Sequence, residues 1–449
     1  MPRTQDLRAS VGRLMRDTES PTLPGVFLDR GAYRAGAPHA APDSRVFDAM
    51  DLSLRCGAQL MARGAAAVDV ESAMHAAATT LGLQNVEVDV TYNALWIAAV
   101  HAGQPVAASR VVRQGTPDYE RLTLVHQLLT DIVGGQIGLA DAKARMAVIE
   151  SQPRAHGQRV GLLGNGVLAG SVAVVLGSGA LVALVAALTG AAIVWLVDRL
   201  SGPRAPALFL AAVGGLVPVA VAAWLTHANV QVRPSLVVAA SIVVLLPGVA
   251  LVGSVRDALV GFPLTAMGRA VDGTLVVMGI VGGVLVALKA AAALSIPMQI
   301  IPADAAQPTP LWLRVVAGAL AAASAAVVYQ SPWRQVAVSF GIGAVGLLSL
   351  TAATTVVDSP TLAIGAAAVA IGIVAGWAAH RATTLALIFV VPGILPLLPG
   401  LTLYRGSLLL ASGDTVEGLV VLLEAAVRMS ALAAGALLGE LLFSRITRS

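Results

Sequence analysis

From Val160 to its C-terminus the chain passes through one apolar stretch after another, each about 20 residues long and closed by a short polar break. A helix of that length rises ~30 Å, the thickness of a bilayer's hydrocarbon core. The stretches run roughly over 160–177, 180–198, 206–226, 235–253, 268–289, 311–329, 335–355, 360–379, 384–403 and 417–440, which predicts ten transmembrane helices. Charge agrees. Residues 160–449 hold 13 basic and 9 acidic side chains, whereas residues 1–159 hold 16 of each. Lipid rather than water solvates a block so poor in charge. That excludes a wholly soluble enzyme, a nucleic-acid-binding domain and a disordered chain. The net charge of +4 arises in the membrane part alone, so it reads as loop charge and implies no nucleic-acid partner.

Ahead of the spans, residues 1–44 are rich in Pro, Gly and charge and read as a mostly disordered leader. Arg3, Arg8, Arg13 and Arg16 lie in polar sequence with no apolar core after them, which is not the pattern of a signal peptide. Residues 45–158 read as an α+β domain, called the head below. Phe47, Met50, Leu54, Ala58 and Met61 recur at helical spacing, and a second helix is predicted from an N-cap at Asp69 to Gly82. The period then changes to two. Val86, Val88 and Val90 alternate with Glu87 and Asp89, and Leu95–Val100 and Val106–Val112 follow, giving three strands before helices near 118–133 and 139–150.

Ten spans bring both termini to one side. Arginines favour that side as the inside: Arg199, Arg204, Arg256, Arg269, Arg334, Arg381, Arg445 and Arg448 fall in predicted inner loops, against Arg233, Lys289, Arg314 and Arg405 outside. The polar segment 300–310 divides the spans into two sets of five, 159–299 and 311–449. Leu245-Leu246-Pro247-Gly248 in the fourth span matches Leu397-Leu398-Pro399-Gly400 in the ninth, and 25 residues beyond each proline stands an acid, Asp272 or Glu424. A duplicated unit of five spans must sit in opposite orientations, so the expected fold is a pair of inverted five-helix repeats, as in many secondary transporters.

Pro-Gly pairs break helices, and in lipid the freed backbone groups need protein, water or ligand as partners. Pro247-Gly248, Pro392-Gly393 and Pro399-Gly400 are therefore candidate substrate-site residues, with Tyr404 and Asn165 beside them, and Thr265, Thr274, Thr351, Thr354 and Thr355 could line a polar path. Glu424 and Arg428 stand at i, i+4, and Arg269 and Asp272 at i, i+3. Either Asp272 and Glu424 couple proton movement to transport, or they belong to two neutralised intrahelical pairs. Cys56 is the lone cysteine, so no disulfide and no cysteine-based metal site is expected. Cys56, His75, His101, His126, Glu71 and Asp131 of the head form no recognisable nucleophile–base spacing, and there is no G-x-S-x-G, H-E-x-x-H or Walker A loop. No catalytic residue, cofactor or ATP-driven cycle is expected.

Leu54-Arg55-Cys56-Gly57-Ala58, then Val68-Asp69-Val70-Glu71, then Leu81-Gly82-Leu83 before a valine-rich strand, resembles the opening of the threonine/serine exporter family. The two Leu-x-Pro-Gly signatures, with Tyr404 after the second, resemble that family's two membrane halves. The resemblance runs from Val46 to Leu442. Gln59 departs from it, standing where the family usually has an acid, and Val68–Glu71 is rearranged. The resemblance implies export of threonine and serine, driven by the proton motive force, across a bacterial inner membrane with the head in the cytoplasm. A dicarboxylate exporter on the same scaffold and a membrane-anchored hydrolase working through its head are the alternatives. A homo-oligomer is compatible with all three.

Overall fold

The computed structural model describes residues 44–113, 115–202, 205–298 and 309–448. The expected leader, apart from Ser44, and most of the 300–310 loop lie outside the described residues.

The head opens with α1 (Ser44–Ala62) and α2 (Ala67–Thr80). Met50, Leu54 and Met61 of α1 are buried as their spacing predicts, whereas Phe47 is exposed. The N-cap of α2 is Ala66, not Asp69, and Asp69 sits in the first turn, where the helix dipole favours an acid. At the other end Gly82 has a φ of +96°, and the Gly82 and Leu83 amides bond back to the carbonyls of Thr79 and Ala78. Three antiparallel strands follow in the order β1 (Gln84–Val90), β2 (Ala94–His101), β3 (Gln104–Val111). Ala102 and Gly103 both take positive φ at the β2–β3 turn, the primed geometry that suits sheet twist. Leu95, Ile97 and Ala99 turn inward from the middle strand, while Trp96 faces out. Helices α3 (Tyr119–Val133), capped by Asp118, and α4 (Leu139–Ser151) complete the head.

Eight membrane-length helices follow, with two further spans that are each bent at a break. The first half comprises α5 (Gln158–Val175), α6 (Ala180–Leu200), α7 (Ala207–His227), the broken pair α8 (Pro234–Ser241) and α9 (Gly248–Val260), and α10 (Pro263–Ala293). The second comprises α11 (Leu311–Val328), α12 (Trp333–Ala353), α13 (Pro360–Ala382), the broken pair α14 (Leu387–Ile394) and α15 (Gly400–Ser412), and α16 (Thr415–Arg448). The lengths match along the two series: 18 and 18 residues, 21 and 21, 21 and 23, 8 and 8, 13 and 13, 31 and 34. Corresponding helices have corresponding neighbours: α7 packs along α10, as α13 packs along α16. The start of α5 lies against the end of α11, so these two first helices are antiparallel.

Lipid tails are as apolar as leucine, so close backbone packing, not water exclusion, holds such helices together. Gly279 and Gly283 of α10, four apart, face the α7 backbone, and Gly435 and Gly439 of α16 face that of α13. A Cβ on Gly283 would overlap the Ala212 carbonyl, and one on Gly439 the Val369 carbonyl. Gly282 looks into open space. Gly283→Val and Gly439→Val should each cost about 2 kcal/mol or more, by the overpacking scale. Gly282→Val should leave the unfolding midpoint in detergent unchanged. Equal midpoints for all three variants would contradict the packing.

Candidate functional site

The leucine before each proline is pushed out of the helical region, because the Pro ring clashes with a helical predecessor. Leu246 and Leu398 accordingly have ψ of 132° and 142°, each after a short 3-10 turn, Ile242–Leu245 and Leu395–Leu397. Pro247 (φ −81°, ψ 63°) and Pro399 (φ −81°, ψ 52°) then form inverse γ-turns. In these the Gly248 amide donates to Leu246 O at 2.8 Å and the Gly400 amide to Leu398 O at 2.9 Å. The two spans bend by 60° and 48°. Each second half-helix then runs 13 residues to a left-handed glycine, Gly261 or Gly413, both with φ of +100°.

The two breaks cross each other. Gly248 lies against Val391 of α14, and Gly400 against the Ala239 backbone of α8. Each half-helix therefore begins beside the first half of the other broken span. Its first turn leaves amides without an intrahelical acceptor and a partial positive charge. A cavity of about 520 Å³ opens at the first break, walled by Pro247, Gly248, Leu251 and Ser254, by Arg269, Gly273 and Thr274 of α10, by Met429 and Ser430 of α16, and by Leu398 of the second break. That volume is ordinary for a small-molecule site.

The structure brings only some of the expected residues here. Pro247, Gly248 and Thr274 line the cavity, and Pro399-Gly400 follows its Leu398 wall. Pro392-Gly393 lies inside α14, with Gly393 packed on Ile342 and Ile371. Asn165 spends its amide on Gly161 O at 2.9 Å within α5. Tyr404 is fully buried in α15 with its hydroxyl unpartnered, away from the cavity lining. Thr265 donates to Val90 O of the head at 3.3 Å, and Thr351, Thr354 and Thr355 bond to carbonyls of their own helix.

Glu424 accepts from Arg428, as the i, i+4 spacing predicts, and Arg428 also donates to Thr402 at 3.0 Å, two residues past the second break. Arg269 does not pair with Asp272. It is buried and needs a buried acceptor, and it finds Asp257 at 3.2 Å along with the carbonyls of Gly64 at 3.2 Å and Ala65 at 2.5 Å. Asp272 is exposed on α10 and accepts from the Tyr92 hydroxyl at the β1–β2 turn. Burial first, and then this bond, hold the Tyr92 phenol well above its usual range.

Sequence reasoning missed the contact between the head and α9, having placed Arg256 and Arg269 in loops. Asp257, 0% exposed, also accepts from the Ala67 amide at 2.8 Å. Its neighbour Arg256 bridges Asp69 of the head and Glu440 of α16, both at 3.2 Å. The start of α2 thus grips the end of the half-helix that walls the cavity. The adjacent pair Arg256-Asp257, just before a helix-ending glycine, was the available signal.

A head joined to ten apolar spans, two of them broken beside a cavity, defines a multi-pass membrane protein. Among the described residues no group of His, Cys, Asp and Glu could hold a metal. Two family models match the chain: "Putative threonine/serine exporter" over residues 51–291 and "Threonine/Serine exporter, ThrE" over residues 314–442. The chain belongs to the threonine/serine exporter family, a family of transporters rather than enzymes. It is 31% identical over 413 residues to a threonine/serine exporter of Corynebacterium glutamicum, covering 90% of this chain and 84% of that one. It is 32% identical over 411 residues to a probable threonine/serine exporter of Mycobacterium tuberculosis strain H37Rv, covering 88% and 76%. No solved structure matches it.

Removing one partner of a buried ion pair strands the other charge at a cost of about 3–5 kcal/mol, while an apolar pair is tolerated. Arg269→Met and Asp257→Leu should therefore each lower the unfolding midpoint sharply, and the double variant should recover most of the loss. Additive losses in the double variant would contradict the pairing.

Proposed function

We propose that this protein is a proton-coupled secondary exporter of threonine and serine in a bacterial cytoplasmic membrane, with its head in the cytoplasm. The observation that carries the proposal is the reciprocal crossing of the two broken spans beside a solute-sized cavity, in a chain of the exporter family. Two five-span repeats of opposite orientation account for the crossing, for the matched helix lengths and for the antiparallel α5 and α11. The substrate's carboxylate meets the amide-rich starts of α9 and α15, whose dipoles favour an anion. Its ammonium and hydroxyl meet freed carbonyls around Leu246 and Leu398 and the hydroxyls of Ser254, Thr274 and Ser430.

Both candidate proton carriers lie on the long final helices of the two halves. Glu424, tied through Arg428 to Thr402, sits where the second break ends, so protonation there frees Arg428 and loosens α15. Asp272, hydrogen-bonded to Tyr92, is the relay on the side of the head. The cytoplasmic placement of the head is supported by arginine at the head ends of the spans, where Arg199 stacks over Trp195 and Arg381 over Trp377, as interfacial anchors do.

The test is flux of labelled threonine from proteoliposomes under an imposed pH gradient. Wild type should transport, serine should compete and succinate should not. Glu424→Gln should reduce gradient-driven flux at least tenfold while threonine–threonine exchange persists, and Asp272→Asn should do so less severely. Competition by succinate would move the assignment to dicarboxylates, and full coupling in Glu424→Gln would remove the proton role.

A further inference from the structure

A second cavity, also about 520 Å³, lies in the head, and transport leaves it unexplained. It is bounded by the end of α1, the end of β3 and the segments that lead into α3 and α5. Five arginines line it, Arg63, Arg110, Arg113, Arg121 and Arg154, against a single carboxylate, Asp118.

That carboxylate is already engaged. Asp118 caps α3 by accepting from the Arg121 amide at 3.0 Å, and it pairs with the Arg121 guanidinium at 3.7 Å. Arg110 turns to Asp51 at 2.9 Å. Arg113 and Arg154 have no ion-pair partner among the described residues. Arg63 gives one N–H to Gln59 O at 3.2 Å, and its Nε–H is buried without an acceptor. Burial, and then the nearby charge of Arg121, disfavour the Arg63 cation. Guanidiniums that converge with unspent donors repel one another unless an anion sits among them. Their planar forks fit phosphate oxygens two at a time, which a lysine cluster would not do. The concave shape, and a head whose residues 45–158 hold 9 basic against 11 acidic side chains, argue against a nucleic-acid strand as the occupant.

We propose that this cavity is a binding site for a phosphate-bearing small anion. The site abuts the joint between head and membrane part. Immediately after Asp118, the Tyr119 amide donates to Tyr329 O at 2.9 Å and the Glu120 amide to Gln330 O at 3.1 Å, at the end of α11. Arg154 leads into α5 on the other side. An anion clasped here pins α1, β3 and both connections together, so occupancy stiffens the head against α11 and α5.

The phosphate is supplied either by a soluble metabolite or by a lipid headgroup at the adjacent membrane surface. Full-length protein in nanodiscs of zwitterionic lipid, and in nanodiscs containing phosphatidylglycerol, would be titrated with pyrophosphate at constant ionic strength while the unfolding midpoint is followed. A saturable rise in zwitterionic discs is expected. In Arg113→Gln/Arg154→Gln, whose side chains are exposed and make no ion pair among the described residues, at least tenfold more pyrophosphate should be required. If phosphatidylglycerol alone raises the midpoint, and that rise is lost in the double variant, the source is the headgroup. If it does not, the source is soluble. No saturable rise over a chloride control in either disc, or unchanged affinity in the double variant, would overturn the site.

Discussion

Hydrocarbon offers no hydrogen bonds, so every backbone amide and carbonyl at membrane depth must find a partner within the protein, in trapped water or in a bound solute. Pro247 and Pro399 violate that economy at the same point in each half. The inverse γ-turns recover one bond apiece, and the crossing of the broken spans shields the rest: each break is covered by the first half-helix of the other. That mutual cover is possible because Gly400 lets α15 begin directly on the Ala239 backbone. The cavity follows from the breaks, since a span that turns by 60° cannot stay packed on α10 and α16 along its whole length.

Charge is scarce in this membrane domain, and its placement divides the labour. One group, Arg256, Asp257, Arg269 and Glu440, gathers where the head meets α9 and is joined there by Asp69 of the head. The other, Glu424 and Arg428, pairs within α16 and reaches Thr402 just past the second break. Two halves of matched helix lengths are thus treated differently: the end of α9 pairs with the head, and α15 is tied to α16 through Thr402 and Arg428. The end of α9 therefore lies at the head's side of the membrane part, held by an ion pair and a hydrogen bond to the head.

Much of this was legible in the sequence. Apolar runs of bilayer length gave the spans, because length and lack of charge are local properties. The Leu-Leu-Pro-Gly signatures gave the breaks, because proline acts on its own predecessor and needs no tertiary help. Period-two valines gave the sheet, and Gly82 ended α2 as a left-handed residue should. What failed depended on long-range packing. Arg269 had an acid three residues on and took one twelve residues back on another helix, since burial, not proximity in sequence, chose its partner. Pro392-Gly393 looked like a third break and proved a packing site, because the surrounding helices hold α14 straight enough to stay helical. Counted from the prolines, Asp272 and Glu424 are equivalent. Counted back from Gly279 and Gly435 they differ by one helical turn, and their partners differ: Asp272 bonds to Tyr92 of the head and Glu424 to Arg428 of its own helix.

Whether solute is held in the cavity at the crossed breaks is tested by chemical accessibility. Cys56 is buried and its thiol is pushed up to about 12 by desolvation, so single cysteines placed elsewhere would report alone. The decisive measurement is the rate of methanethiosulfonate labelling of Ser254→Cys and Ser430→Cys in liposomes, with Thr355→Cys, exposed at the far end of α12, as reference. Saturating threonine should slow labelling several-fold at the two cavity positions and leave the reference unchanged. Equal rates with and without threonine at both cavity positions would contradict it.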